Sequence, residues 1–394
     1  MNHQSGVVLC TAEIGSGHTR AALALSAAFS ELARYSAVET IEALEHAPAW
    51  FVHGYRDGYL ATMSRLPRVA GWLYDRMDNA PQGRAGGWMA AMIEQPALTP
   101  CTRFKTVREA GILVCTHFAC ARVLSAARLK GVLSARLCVV VTDQHPHAIW
   151  QVEGVDLYLV GTQAAAATLQ QRGVDTHRIA VTGIPIDPVF SRPIDKLMAR
   201  ERHRLPGHGP VLLLSGGGLG LGGLDRVVEG LIAAQSRATA IVVCGRNERL
   251  RRRLSETLRN HPAGSRFHVL GETRLMHEYM AAADLMVGKP GGLSTAEAAA
   301  MSLPMVLLKP IPGQEERNAE MLVHAGAALM EPEPKQAGKV AADLLEEPAR
   351  LTAMSRYAGL IGKPCAALDA AMVISRLSET GESRAQSTPY AAML

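Results

Sequence analysis

The residues between Val287 and Asn318 carry the clearest chemistry in the chain. They read Val-Gly-Lys-Pro-Gly-Gly-Leu-Ser-Thr-Ala-Glu and then Leu-Pro-Met-Val-Leu-Leu-Lys-Pro-Ile-Pro-Gly-Gln-Glu-Glu-Arg-Asn. An apolar strand, Leu285 to Val287, runs into a Gly-Gly turn and a helix expected to open at Ser294. The unpaired N–H groups of such a helix start converge on one spot, where an anion belongs. After a second strand, Gln314, Glu315 and Asn318 can hydrogen-bond hydroxyls. Phosphate at one end and hydroxyls at the other suggest a nucleotide sugar. The same residues have a structural reading: Ser294-x-x-Glu297 is also a capping box, and Gly291-Gly292 could be an ordinary tight turn.

The elements that must position these groups are bounded by the whole chain. Its 394 residues suggest two domains, each with its own core, and 48% hydrophobic residues with few aromatics fit a soluble helix-and-sheet protein. No internal repeat or low-complexity tract points to a solenoid. Met1 to Ser5 is polar and runs straight into a strand-like stretch without the regions of a signal peptide. No long uninterrupted apolar window is present, so a cytoplasmic protein is expected. Of the seven cysteines, Cys10, Cys115, Cys138 and Cys244 lie in apolar strand-like runs and read as buried thiols. Cys115-x-His117-x-x-Cys120 has no second pair nearby to complete a zinc site. The net charge of +5 permits attraction to an anionic surface without demonstrating it.

Periodicity divides the chain into two halves of one plan. The first has a strand (7–10), a Gly-rich turn (Gly15-Ser16-Gly17-His18), an Ala/Leu helix (19–34), and strands at 111–115, 137–142 and 157–161. After a charged, Pro-containing stretch near residue 190, strands recur at 211–214, 240–244, 266–270, 284–287 and 305–308. The expectation is α/β: a Rossmann-like domain over 1–190, another over 191–364, and a segment 365–394 comprising a last helix that is a candidate to return to the first domain and a loose tail. Two such domains facing each other make a cleft at the carboxyl ends of their strands, where ligands of these sheets bind.

A nicotinamide enzyme must be weighed, because Gly218-Leu-Gly220-Leu-Gly-Gly223 fits GxGxxG after a strand. That fingerprint needs an acidic residue at the end of the next strand to hold the ribose. The next strand here ends Cys244-Gly245-Arg246-Asn247, so only an NADP reading through arginine stays open. A loop so rich in glycine also suits a flexible lid over a diphosphate.

Several segments together resemble the monogalactosyldiacylglycerol synthase and processive diacylglycerol glucosyltransferase family, itself related to the transferase that adds N-acetylglucosamine to the lipid-linked peptidoglycan precursor. They are Gly15-Ser-Gly-His18, Val-Thr-Asp143-Gln-His-Pro-His147-Ala-Ile-Trp150, Thr182-Gly-Ile-Pro-Ile-Asp-Pro-Val-Phe190, Ser215-Gly-Gly-Gly218, Ala282-Ala-Asp284, Gly288-Lys-Pro-Gly-Gly292 and Pro312-Gly-Gln-Glu-Glu-Arg-Asn318, in the family's order. The resemblance implies a GT-B fold and an inverting transfer of a sugar from a UDP-sugar to a diacylglycerol-type lipid at the membrane surface, without a cofactor or metal. Independently, no Asp-x-Asp occurs to supply the usual carboxylate pair for a divalent ion.

Carried onto this chain, the resemblance assigns donor binding to Gly217, Gly218, Gly245, Glu272, Thr273, Met276, Gly291, Gly292, Leu293, Ser294, Glu297, Gln314, Glu315 and Asn318. Glu297 would hold the ribose, Gln314, Glu315 and Asn318 the sugar, and Gly217 and Gly218 the diphosphate. Gly271-Glu272-Thr273 lacks the aromatic residue common in the loop that frames the base. Inverting transfer needs a base for the acceptor hydroxyl. His18 is the candidate, with contact to the diphosphate or helix capping as its structural alternative, and Asp143 is expected to orient it or to be the base itself.

His117, His147 and Trp150 are assigned to the acceptor side. Trp50, Trp72 and Trp88, with arginines interleaved, suit docking on an anionic membrane as peripheral protein on the inner face, or else fill the first domain's core. No dense basic run supports nucleic-acid binding, the basic run 246–253 reads as a solvated helix face, and no obligatory protein partner is evident. The rival functions are a UDP-sugar 2-epimerase-like enzyme and a non-catalytic nucleotide- or lipid-binding relative.

Overall fold

A computed structural model of the chain describes residues 6–33, 35, 37–58, 67–78 and 90–379. The chain forms two units, one of Met1–Pro188, Pro312–Gln314 and Cys365–Leu394, the other of Val189–Ile311 and Glu315–Pro364. Each is built on a six-stranded, wholly parallel sheet. Parallel strands need crossover helices on both faces, so their inner members are buried on both sides and read as continuous apolar runs.

The first sheet contains β1 (Val7–Thr11), β2 (Val38–Glu42), β3 (Ile112–Cys115), β4 (Arg136–Val140), β5 (Leu157–Val160) and β6 (Ile179–Val181), in the order β2-β1-β3-β4-β5-β6. The chain goes from β1 to one side and then returns to build outward on the other. The strand order therefore reverses between β1 and β3, and ligands of such sheets bind beyond the carboxyl ends at that reversal. Against one face, Ala24, Leu25, Ala28 and Phe29 of the helix Ser16–Leu32 share a core with Ala367, Ala370, Ala371 and Ile374 of the helix Ala366–Glu379. The last helix thus lies in the first unit, and residues 380–394 of the tail fall outside the described residues.

The second sheet contains β7 (Val211–Ser215), β8 (Thr239–Val243), β9 (Phe267–Leu270), β10 (Leu285–Gly288), β11 (Met305–Leu307) and β12 (Ala328–Met330), in the order β12-β11-β10-β7-β8-β9. Its reversal lies between β7 and β10. Asp284 anchors the amino end of this sheet: its Oδ2 accepts from Val211 N at 2.7 Å and from the buried Arg200 at 2.8 Å, and Oδ1 accepts from Lys196 at 2.7 Å. The segment Ala282-Ala-Asp284 therefore has a structural job.

Three strands absent from the sequence reading, β2, β6 and β12, are outer strands with partly exposed residues, so they lack the apolar run that marks the inner ones. All seven cysteines are free, and only Cys365 is exposed. Among the described residues one stretch, Pro348–Leu377, is long and apolar enough to cross a membrane. It folds as two helices, Pro348–Ile361 and Ala366–Glu379, and the second is packed in the core just described.

Candidate active site

In the first unit, His18 follows β1 in the opening turn of its helix, and Thr116 and His117 follow β3, so the strand reversal brings them together. The His18 Nδ1 lies 2.8 Å from the Thr116 carbonyl and 3.0 Å from the Thr142 hydroxyl. A carbonyl oxygen only accepts, so Nδ1 carries the proton and donates it, which leaves the lone pair on Nε2. Nε2 has no hydrogen-bond partner among the described residues. Burial disfavours the imidazolium and pulls the His18 pKa down to about 4, against the bond to Thr116, which favours it. The ring is a neutral base at pH 7.

Asp143, beyond β4, accepts from the Trp150 indole N–H at 2.9 Å through Oδ2, while its buried Oδ1 has no partner. Burial pushes its carboxyl up to about 7, opposed by the Trp150 bond. Asp143 makes no hydrogen bond to His18, so the group that orients the imidazole is the Thr116 carbonyl with the Thr142 hydroxyl. His117 packs edge-on to His18 with ring centroids 4.7 Å apart. Its Nδ1 accepts from Ala119 N at 3.2 Å, capping the helix Phe118–Leu129, and its Nε2 is buried without a partner. Thr11 and Thr116 also leave buried hydroxyl oxygens unpaired. Buried polar groups are nearly always paired in folded proteins, so the orphans gathered at the ends of β1, β3 and β4 are groups that water or a polar ligand can satisfy.

His147 and Trp150 are turned inward. His147 Nδ1 accepts from Ile149 N at 3.0 Å and Nε2 donates to the Tyr74 carbonyl at 2.9 Å. Asp78 accepts from Ala148 N and Arg172, both at 2.7 Å. Burial works against its charge, yet bonds from His145 and Ala148 N and the charges of His147 and Arg172 hold its carboxyl well below the usual range. These bonds latch the helix Pro67–Asp78 to the loop that carries Trp150. The aromatic residues before and within that helix divide between two roles. Phe51 is buried and stacked on Tyr55, whose hydroxyl donates to Glu94 at 2.9 Å. Trp50 and Trp72 are each 62% exposed, and Arg76 lies over the Trp72 ring at 5.6 Å. Trp88 lies outside the described residues.

In the second unit, the loops after β7 and β10 flank the other reversal. The helix opens at Gly292 with Gly291 as its cap, earlier than Ser294, and Thr295 Oγ1 bonds back to the carbonyls of Gly291 and Gly292 at 3.0 and 2.9 Å. Ser294 is therefore not a cap and the capping box does not form; Glu297 is buried one turn further on. A Cβ at Gly291 or at Gly217 would meet nothing within 4 Å. Open space over both glycines, beside the unpaired N–H groups of a helix start, leaves room in which an anion could be held.

The glycine loop 216–223 is built rather than free. Leu221 N donates to Gly216 O at 3.0 Å, and Arg246 N to Gly218 O at 2.9 Å. Gly245 sits beneath it at φ +56°, where a Cβ would lie 2.6 Å from Gly217 O and 2.7 Å from Gly218 O. Gly245→Ala should cost about 1–3 kcal/mol from the left-handed backbone and the clash, read as a lower denaturation midpoint by circular dichroism.

Of the remaining donor candidates, Asn318 is fully buried and donates through Nδ2 to Pro290 O at 3.0 Å, holding the Gly291 turn from beneath. Glu315 is paired with Lys289 and Ile311 N, Gln314 opens the helix Gln314–His324, and Thr273 Oγ1 accepts from Leu275 N. Glu272 is exposed and Met276 begins the helix Met276–Ala282. In the basic run, Arg251 and Arg252 pair with Glu248 and Arg253 with Asp225.

Two parallel six-stranded α/β units of this kind define the GT-B fold. Among solved structures, Acinetobacter baumannii MurG aligns with a TM-score of 0.61 at 16% identity, covering 94% of this chain and 99% of its own. A UDP-N-acetylglucosamine 2-epimerase aligns with a TM-score of 0.56 at 13% identity, covering 98% and 99%. At such identities the likeness is one of fold. Residues 18–186 match the monogalactosyldiacylglycerol (MGDG) synthase family, and residues 211–360 match the glycosyltransferase family 28 C-terminal domain. The processive diacylglycerol beta-glucosyltransferase of Staphylococcus haemolyticus is 31% identical over 220 residues. That match spans 56% of this chain and 56% of the relative, so little more than half of each is aligned.

Proposed function

We propose that the protein is an inverting, metal-independent glycosyltransferase that moves a sugar from a UDP-sugar to diacylglycerol or a related membrane lipid. The observation that carries the reading is His18, a neutral imidazole whose Nδ1–H is tied to a carbonyl and whose Nε2 lone pair is left for an acceptor hydroxyl. The acceptor oxygen attacks the anomeric carbon as its bond to the diphosphate oxygen breaks, and the hydroxyl proton passes to Nε2. UDP departs with its new negative charge stabilised by the amides of Gly291, Gly292 and Leu293 and by the loop at Gly217 and Gly218. The family's domains and the diacylglycerol glucosyltransferase relative support the lipid acceptor. The exposed Trp50 and Trp72 supply an amphipathic surface for a peripheral approach to an anionic bilayer. The epimerase neighbour shares only the fold and does not favour the rival reading.

The base can be identified by pH. His18 loses activity only on protonation, so with His18 as the base kcat/KM for UDP-glucose and diacylglycerol should stay level from pH 8 to about 5 and fall below that, toward its pKa of about 4. If the ionised Asp143 were the base, the acid limb would lie near pH 7, and that result would reassign the role. Transfer should also proceed at the same rate in excess EDTA; its loss, and recovery on adding magnesium or manganese, would remove the metal-independent reading.

A further inference from the structure

Lys289 immediately precedes Pro290-Gly291-Gly292, and its ammonium sits 3.1 and 3.0 Å from the two carboxylate oxygens of Glu315, at the start of the helix Gln314–His324. Both side chains are mostly withdrawn from water, 14% and 16% exposed. Glu315 is tied further by accepting from Ile311 N at 2.7 Å. The stem of Lys289 runs between the two loops at the β7–β10 reversal: a Cβ at Gly222 would lie 3.4 Å from its Cγ. One cation thus stands beside the anion cradle, neutralised by a carboxylate that has no excess charge to offer while the pair is closed.

We propose that Lys289 and Glu315 form an exchangeable ion pair that couples the two ends of the donor. Resting on the reading of this site as a nucleoside-diphosphate sugar site, the inference is that Lys289 passes from Glu315 to the diphosphate when the donor binds. Glu315, released from its cation, then accepts hydrogen bonds from sugar hydroxyls. A withdrawn pair is costly to break by removing one partner, because the other is left uncompensated. A diphosphate with a hydroxylated sugar supplies both replacements at once. UDP alone supplies only the first and leaves Glu315 with no countercharge, held by Ile311 N alone. The exchange therefore favours the intact donor over the product.

Calorimetric titration of the full chain with UDP and with UDP-glucose, at two salt concentrations, tests this. Glu315→Gln frees Lys289 permanently and should bind UDP about three- to tenfold more tightly than the native protein. Its preference for UDP-glucose over UDP should shrink by a similar factor. Lys289→Met should weaken both ligands at least tenfold and flatten the salt dependence. In the double variant the effects should be non-additive, since each change acts on the same pair. Circular dichroism melts confirm that each variant is folded, and Glu315→Gln alone decides the sign if Lys289→Met is not. Unchanged or weaker UDP binding by Glu315→Gln overturns the exchange. Failure of the native protein to bind either ligand overturns instead the reading of the site.

Discussion

His18→Ala is expected to abolish sugar transfer, lowering kcat by about 10²–10⁴-fold, the usual contribution of a positioned general base. UDP affinity should stay within about twofold, because the groups assigned to the diphosphate belong to the second unit. Loss of the imidazole removes the proton acceptor while the acceptor hydroxyl, an alcohol, remains far too weakly acidic to ionise unaided. His18→Gln separates proton transfer from bulk: it keeps much of the volume and a polar end but has no basic nitrogen, so it should be as inactive as alanine. Radiometric transfer to lipid together with UDP titration reads both numbers. A variant with more than a tenth of native kcat would transfer the role to Asp143 or to solvent.

Gly291→Asp should separate stability from function. Gly291 caps the helix Gly292–Ala300 at an ordinary φ of −68°, and a side chain there meets nothing within 4 Å. Aspartate is a preferred cap and its charge suits the helix start, so the protein should gain a few tenths to about 1 kcal/mol. The same carboxylate would occupy the cradle and repel a diphosphate, so UDP affinity should fall at least about a hundredfold. Gly291→Ala adds only a methyl group and should fall between native and aspartate in binding. Unaltered UDP affinity in Gly291→Asp would show that the diphosphate does not rest on this helix.

The inner strands were legible because a parallel sheet covered on both faces demands apolar runs such as Val211–Leu214. The strand Val38–Glu42 was not, because its edge position permits Glu39 and Glu42 and leaves it without a continuous apolar run. The Gly291-Gly292 turn was legible as the approach to a helix, but Ser294-x-x-Glu297 imitates a capping box, which puts the helix start two residues too late. At the candidate catalytic end, side-chain types pointed to His18 and Asp143, whereas the carbonyl of Thr116 that fixes the imidazole carries no signature: every residue has one. Thr142 was hidden for the same reason, since a threonine at a strand end is common. Packing alone turned His147 and Trp150 inward and separated Phe51 and Tyr55 from Trp50 and Trp72. The Lys289–Glu315 pair depends on how one loop returns beside another, and linear spacing does not reveal it.

The most direct measurement is the configuration of the product. UDP-glucose, α-linked at the anomeric carbon, would be incubated with the protein and vesicles of diacylglycerol in anionic phospholipid, and the glycolipid examined by proton NMR. A single displacement with His18 as base predicts a β-glucosyl lipid formed in step with free UDP. An α-linked lipid would contradict the inverting step, and epimerised sugar nucleotide with no lipid product would contradict the transferase itself.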